Sequence, residues 1–164
     1  MKKIWITIAL LLTFSSLWAA PPAPAPNGIT VPEGYQNWRL IAVSQRTESQ
    51  TLRAILGNSI AVDAARSGKT NPWPEGTILA KVNWKQQTSS TFPTAVIPGE
   101  LVHVDFMLRD SARFASTHGW GWARWLGTEQ RPYGNDANFS QECIACHSAM
   151  QGHDMVFTEP VKLP

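Results

Sequence analysis

The sequence predicts an α+β domain: a mainly antiparallel five-stranded sheet, short interposed helices, and a C-terminal helix that carries the chemistry. Three observations lead there. Five runs have strand-like composition, and one of them, Leu101 to Arg109, alternates cleanly, with Val102, Val104, Phe106 and Leu108 opposed to His103, Asp105 and Met107. Short alanine-rich or capped stretches, not long amphipathic ones, separate these runs. The chain has 164 residues and no internal repeat, enough for one domain.

The first twenty residues read as an address and not as structure. Lys2 and Lys3 precede an apolar run from Ile4 to Phe14, and Ser15-Ser16-Leu17-Trp18-Ala19-Ala20 ends it in small residues. A charged start, a short apolar stretch and a small-residue end describe a secretory signal peptide. The run is too short for a membrane span, which needs about 20 apolar residues. Cleavage is expected after Ala19, because Pro21 hinders cutting after Ala20. Residues 1–20 are thus assigned to the signal, 21–28 to a Pro/Ala-rich spacer, and 29–164 to the folded domain. The expected destination is an oxidising compartment, the periplasm, with no membrane attachment after cleavage.

The elements follow in order. Trp38-Arg39-Leu40-Ile41-Ala42-Val43 reads as a first strand and Thr51 to Leu56 as its partner, broken by Gly57-Asn58. Ile60 to Arg66 has helical spacing, with Gly68 placed as its C-terminal cap. Asn71-Pro72-Trp73-Pro74-Glu75-Gly76 is a rigid turn that leads into a third strand from Thr77 to Lys85. Gln86 to Gly99, polar and bounded by prolines, reads as a loop before the fourth strand. Asp110 can cap a short helix through Phe114 and Ala115, ended by Gly119. Trp120 to Leu126 is the fifth strand, with Trp120, Trp122 and Arg124 on one face. Asn138 can cap a last helix through His147.

Composition limits the function. Apolar residues make up 43% and charged residues 16%, which excludes a disordered chain and a multi-pass membrane protein. The formal charge of +2 comes from Lys2 and Lys3. Without them the charge is zero, which argues against a nucleic-acid binder held by phosphate contacts.

The chemistry lies in Cys143-Ile144-Ala145-Cys146-His147, which holds both cysteines of the chain. Cys-x-x-Cys-His is the attachment signature of c-type haem. On a helix, positions i, i+3 and i+4 share a face. Two thiols can then bind the porphyrin while His147 reaches the iron, giving one covalent haem c per chain. The competing chemistries are a thioredoxin-type redox disulfide, a structural disulfide, and a zinc site completed by His103, His118 or His153. His147 stands 17 residues from the C-terminus, so little chain follows with which to cross the ring. Met150 is one turn past Cys146 on the proximal side, and His153 and Met155 have short tethers. Met107, His103 and His118 read as pocket-lining or surface residues. The expectation is an open sixth position, where a small molecule can bind or react. Lys81 is the other unusual residue, interrupting Ile78-Leu79-Ala80-Lys81-Val82. It is either an outward-facing lysine or one desolvated beside the haem, with a nucleophilic amine.

An export signal, a β-rich body, a lysine in the third strand and a C-terminal Cys-x-x-Cys-His together resemble the cytochrome P-460 family. The resemblance runs from about Tyr35 to Phe157, anchored on Cys143, Cys146 and His147 and supported by 71–76 and by Gly119-Trp120-Gly121-Trp122-Ala123-Arg124. It implies a β-sheet haem protein, often a homodimer, with five-coordinate iron. It further implies oxidoreductase chemistry on hydroxylamine or nitric oxide with a soluble redox partner, and a lysine bonded to the porphyrin edge. The sister group, the cytochromes c′-β, lacks that bond and binds nitric oxide or carbon monoxide without turnover. Lys81 matches the cross-linking lysine, and Arg53 falls near a distal arginine of the family. Some active relatives carry a carboxylate just before the haem helix. Here Asp136, Asn138 and Phe139 stand there, and Asn138 cannot titrate, a departure from the catalytic pattern.

Overall fold

The computed structural model describes residues 20–162, so the expected signal segment, apart from Ala20, lies outside the described residues. Six strands form one antiparallel meander in chain order: β1 (Arg39–Arg46), β2 (Thr51–Gly57), β3 (Ile78–Thr88), β4 (Val96–Arg109), β5 (Trp120–Leu126) and β6 (Arg131–Pro132). The α+β class stands, but the sheet has six strands and not five. The sixth is only two residues long, pairing Pro132 with Trp125 and Arg131 with Leu126, and two residues carry no alternation to read.

Helix α1 (Ser59–Ser67) forms where its apolar spacing places it. Asn58 caps it by accepting from Ala61 N, and Gly68 ends it at φ +71°, a left-handed conformation that costs glycine little. Two other sequence expectations fail. Gln86 to Gly99 is not one loop: Gln86–Thr88 pair with Val96–Pro98, extending the β3–β4 hairpin as a two-stranded ribbon. Backbone pairing in such a ribbon needs no apolar alternation, and Pro98 enters beside a register shift, where its missing N–H is tolerated. The helix expected after Asp110 is instead a turn, in which Asp110 accepts from Arg113 N, followed by a single 3₁₀ turn, Ala115–Thr117, that has no side-chain cap.

Strand alternation gives the sheet two different faces. Ala80, Val82, Val104, Phe106, Ala123 and Trp125 point to one side and are all buried. The N-terminal segment covers them: Ala25, Ile29 and Tyr35 are buried there, and Tyr35, Phe106 and Trp125 stack edge to face at 5.1 and 5.6 Å. The Pro/Ala-rich stretch therefore packs on the sheet, with Trp125 Nε1 donating to Ala23 O at 2.9 Å. Asn27 Nδ2 donates to Trp122 O at 2.8 Å, satisfying a carbonyl of β5 beyond the reach of short β6.

The opposite face carries Ile41, Ile55, Leu79, Met107, Trp120 and Trp122, covered by α1 and by the C-terminal chain through Met155 and Val156. Helix α2 (Ser140–His147) packs Cys143 and Ile144 against this second core. Asn138 is not its cap. Asp136 accepts from Asn138 N and caps a preceding 3₁₀ turn, Ala137–Phe139, so that α2 starts one step later without a side-chain cap. No described helix is long and apolar enough to cross a membrane.

Candidate haem-binding site

Cys143, Cys146 and His147 fall on α2 at i, i+3 and i+4, as the motif requires. Both cysteines are free thiols, Cys143 half-buried and Cys146 exposed. Among the described residues no group of three or more His, Cys, Asp or Glu converges to hold a metal ion. Burial pushes the Cys143 thiol above its ordinary value, with Arg124 opposing. It is therefore a neutral thiol at neutral pH.

His147 is the most informative side chain. Its Nδ1 lies 2.6 Å from Met155 O and donates to that carbonyl. This fixes the tautomer and leaves a bare lone pair on Nε2, the arrangement that metal-binding histidines use. Burial lowers the imidazole below its ordinary pKa, the bond to Met155 opposing, so the ring favours the neutral form that binds metal. Trp122 and Phe157 flank it at 6.0 and 5.1 Å between ring centroids.

The acceptor is held by the turn at 71–76. Asn71 Nδ2 donates to Gly152 O at 2.8 Å, and Trp73 N donates to Asp154 Oδ2 at 2.8 Å. Arg109 Nη1 reaches Asp154 Oδ1 at 3.0 Å. Between these ties Asp154 and Met155 take φ of +50° and +65°, an uncommon conformation for a residue as bulky as methionine. That bend brings the Met155 carbonyl back onto His147. Met155 thus serves His147 through its backbone, while its side chain is fully buried in the core. His153 and His118 are exposed, and Met150 is half-buried in the 3₁₀ segment Ser148–His153 that follows α2.

On the sheet, Lys81 pairs with Asp105 across β3–β4, and Asp105 pairs with Arg124 across β4–β5. Lys81 Nζ lies 2.5 Å from Asp105 Oδ2, and Arg124 Nε lies 2.6 Å from Oδ1. Lys81 is 28% exposed and Asp105 16%. Lys81 is thus partly exposed and ion-paired with Asp105. Burial alone would raise the Asp105 carboxyl. The nearby His103 ring, the charge of Lys81 and the bond from Arg124 outweigh it and hold the group well below the usual carboxylate range.

His103 Nε2 stands between Asn83 Nδ2 at 3.1 Å and Asp105 Oδ2 at 3.4 Å. One nitrogen cannot accept from the first and donate to the second. The shorter contact goes to Asn83, whose Nδ2 donates to Nε2. Arg53 lies directly across β2–β3 from Asn83, and burial lowers its pKa, with Arg46 adding to the effect. Both Arg53 Nε and Asn83 Oδ1 are buried and without a protein partner.

Of the residues named from sequence, the fold brings Lys81 and Arg53 to one sheet face and places the α2 motif beside it. The charges of Lys81 and Asp105 act on both Cys143 and His147. Asn138 is exposed at the head of α2 and makes no bond to that cluster. Sequence reasoning did not select Asp105, His103, Asn83 or Arg124 as a group. The usable signal was the polar half of the β4 alternation, His103 and Asp105, set against Lys81 in the apolar run of β3. Two concavities, of about 760 Å³ by Arg39 and Lys162 and about 410 Å³ by Lys85 and Glu100, lie away from the motif. The donor set and not cavity size identifies the site.

The residues present fit a haem: two free thiols at the attachment spacing, a neutral imidazole with its outer nitrogen already bonded, and orphaned polar atoms on the facing sheet. Residues 32–158, most of the chain, match the family described as cytochrome P-460. No curated protein matches the chain.

Proposed function

The chain belongs to the cytochrome P-460 family, and from that premise we propose that it is a periplasmic c-type haem protein acting as an oxidoreductase on hydroxylamine or nitric oxide. Family membership implies a haem cofactor. Cys143 and Cys146 would bind its vinyl groups, and His147 Nε2 would bind its iron. Bound haem would supply a redox-active iron at which a small nitrogen species could react. The protein's part is to hold His147 neutral by burial, to fix its tautomer through Met155 O, and to flank the ring with Trp122 and Phe157. It also sets a paired polar row, Lys81, Asp105 and Arg124, on the facing strands. Electrons would pass to a soluble redox partner, and a homodimer is the proposed assembly.

The observation that carries this reading is the bond from His147 Nδ1 to Met155 O, which prepares the other nitrogen for iron beside two free thiols. Protein made with the haem-attachment machinery should exceed the mature polypeptide by the mass of one haem, and its ferrous form should be high-spin and bind carbon monoxide. A mass without haem, or a low-spin spectrum altered by replacing Met107 or His103, would end this reading.

A second reading, a gas-binding or electron-carrying cytochrome without turnover, is favoured by the Lys81–Asp105 pair. An amine held as ammonium 2.5 Å from a carboxylate is not a nucleophile, so a bond from Lys81 to the porphyrin requires this pair to open. The reduced optical spectrum separates the two. A Lys81 cross-link moves absorption far to the red of ordinary haem c, and a digest then yields Lys81 joined to the Cys143–Cys146 peptide. An ordinary spectrum with a free Lys81 peptide selects the gas-binding cytochrome.

A further inference from the structure

We propose that a cationic groove at the β1 margin of the sheet is the docking surface for an acidic, soluble one-electron acceptor protein. The inference rests on the proposed redox function and names the kind of partner that would take its electrons. The groove, of about 760 Å³, lies between the start of β1, the last turn of α1 and the C-terminal chain. Buried Ile41 and Val62 form its floor, and Arg39, Arg66 and Lys162 stand around it. No carboxylate lines it among the described residues; Glu159, beside Pro160 in sequence, is not part of the lining.

Charge selects the partner. All three cations are exposed, and none is ion-paired among the described residues. Without Lys2 and Lys3 the chain is neutral, so three uncompensated cations around one groove make a local field that the whole chain lacks. Exposed Leu40 and Val161 supply an apolar centre inside that ring. Such a patch steers an acidic surface into place and leaves apolar area to bury on contact. Register gives the groove its place relative to the haem motif. Arg39 pairs with Gly57, Gly57 with Leu79, Leu79 with Met107, and Met107 with Trp122. Cross-strand partners share a face, so Arg39 leaves the sheet on the side where Trp122 meets His147. The C-terminal chain joins the two places. Phe157 is 49% exposed and sets its ring 5.1 Å from that of His147. Four residues on, Val161 N donates to Ile41 O at 2.8 Å and fixes the wall of the groove. Four residues span at most about 14 Å, whereas a docking patch of about 800 Å² per partner is about 30 Å across. A partner centred on the groove therefore also covers Phe157. One electron would pass from ferrous haem to the partner's oxidised centre, leaving ferric haem and a reduced partner, with no bond broken and no proton moved.

The test mixes the haem-loaded ferrous chain with an oxidised acidic blue-copper protein in stopped flow. Binding is measured separately by calorimetry with the zinc-substituted form of that probe, which accepts no electron. Arg39→Gln combined with Lys162→Gln should lower the bimolecular rate at low salt at least about fivefold and weaken binding in parallel. Arg66→Gln alone should lower both about twofold, and the wild-type advantage should fade as salt is added. Lys85→Gln combined with Arg131→Gln removes the same charge at the other concavity, and should change rate and binding less than about twofold. All five side chains are exposed, so the variants should fold as wild type does. Equal effects from the two pairs, or no effect from either, overturn the docking surface and leave the haem reading standing. So does a change of oligomeric state in the Arg39 and Lys162 variant, seen by light scattering, which would make the groove a contact between copies of this chain. A wild-type chain whose mass shows no haem overturns the haem reading, and this inference with it.

Discussion

The two faces of the one sheet are built from the same strands and are finished differently. On the N-terminal side every inward position of β3 to β5 is apolar, and the aromatic series Tyr35, Phe106 and Trp125 closes on itself. On the other side the apolar row Leu79, Met107 and Trp122 gives way, one pleat along, to Lys81, Asp105 and Arg124, and then to Asn83 and His103. The first face needs nothing outside the chain. The second retains buried polar atoms with no protein partner, Arg53 Nε and Asn83 Oδ1. Buried polar groups in folded proteins are nearly always paired. The contrast separates the part of the domain that supplies stability from the part arranged around a cofactor.

The largest test of that division is Trp125→Ala. Trp125 is 1% exposed, stacks on Phe106 and donates to Ala23 O, so its loss empties a site that the sheet cannot collapse to fill. The expected cost is about 3–5 kcal/mol in denaturant unfolding. Carbon monoxide affinity of the haem-loaded variant should remain within about twofold of wild type below its melting temperature, a ratio that corresponds to less than about 0.5 kcal/mol. A large change in ligand binding would show that the faces are not independent.

Asp105→Asn probes the other face. It leaves Lys81 and Arg124 as neighbouring cations without a carboxylate, at an expected cost of about 2–3 kcal/mol, since breaking a largely buried pair strands the remaining charge. The sign with pH follows from the depressed Asp105 carboxyl. Its folded value lies below its unfolded value, near 3.9. The stabilisation is therefore complete above about pH 4 and is lost as pH falls towards the folded value. The difference between wild type and Asp105→Asn should be constant from pH 8 to pH 5 and shrink below pH 4. A difference that grows in acid would contradict the assignment.

The same contrast explains what could be read without coordinates. The alternation from Val102 to Leu108 fixes both faces of β4, and the split of His103, Asp105 and Met107 from the apolar set is the one observed. The haem motif was legible because its chemistry demands a fixed local spacing within five residues. The polar cluster was not, because its members come from four strands and only the register brings them together: Arg53 opposite Asn83, and Lys81 opposite Asp105, itself opposite Arg124. Pattern failed in another way at 86–99 and at 131–132. There, strands pair through the backbone alone and leave no hydrophobic period. The tie between Met155 O and His147 was also beyond reach, since it depends on two left-handed residues that carry no glycine to announce them.

That tie gives the smallest and most local prediction, Asp154→Asn. Asp154 has two tasks at once: one carboxylate oxygen accepts from Trp73 N and the other from Arg109 Nη1. An asparagine has one acceptor oxygen, so one of these bonds must go, while the shape of the side chain and the bend at Asp154 are kept. Arg109 retains its bond to His118 O, so its charge is not stranded. The stability cost is therefore about 1–2 kcal/mol, below that of Asp105→Asn. The more specific readout is at His147. Loosening Asp154 lets the Met155 carbonyl drift, the imidazole loses part of its hydrogen-bonded push, and the ligand becomes less basic. In the haem-loaded ferrous protein the iron–histidine stretching band should move to lower frequency. The Trp125→Ala variant, on the opposite face, should leave that band in place. An unmoved band in Asp154→Asn would mean that Met155 O is held by the core packing of its own side chain and not by the turn at Trp73.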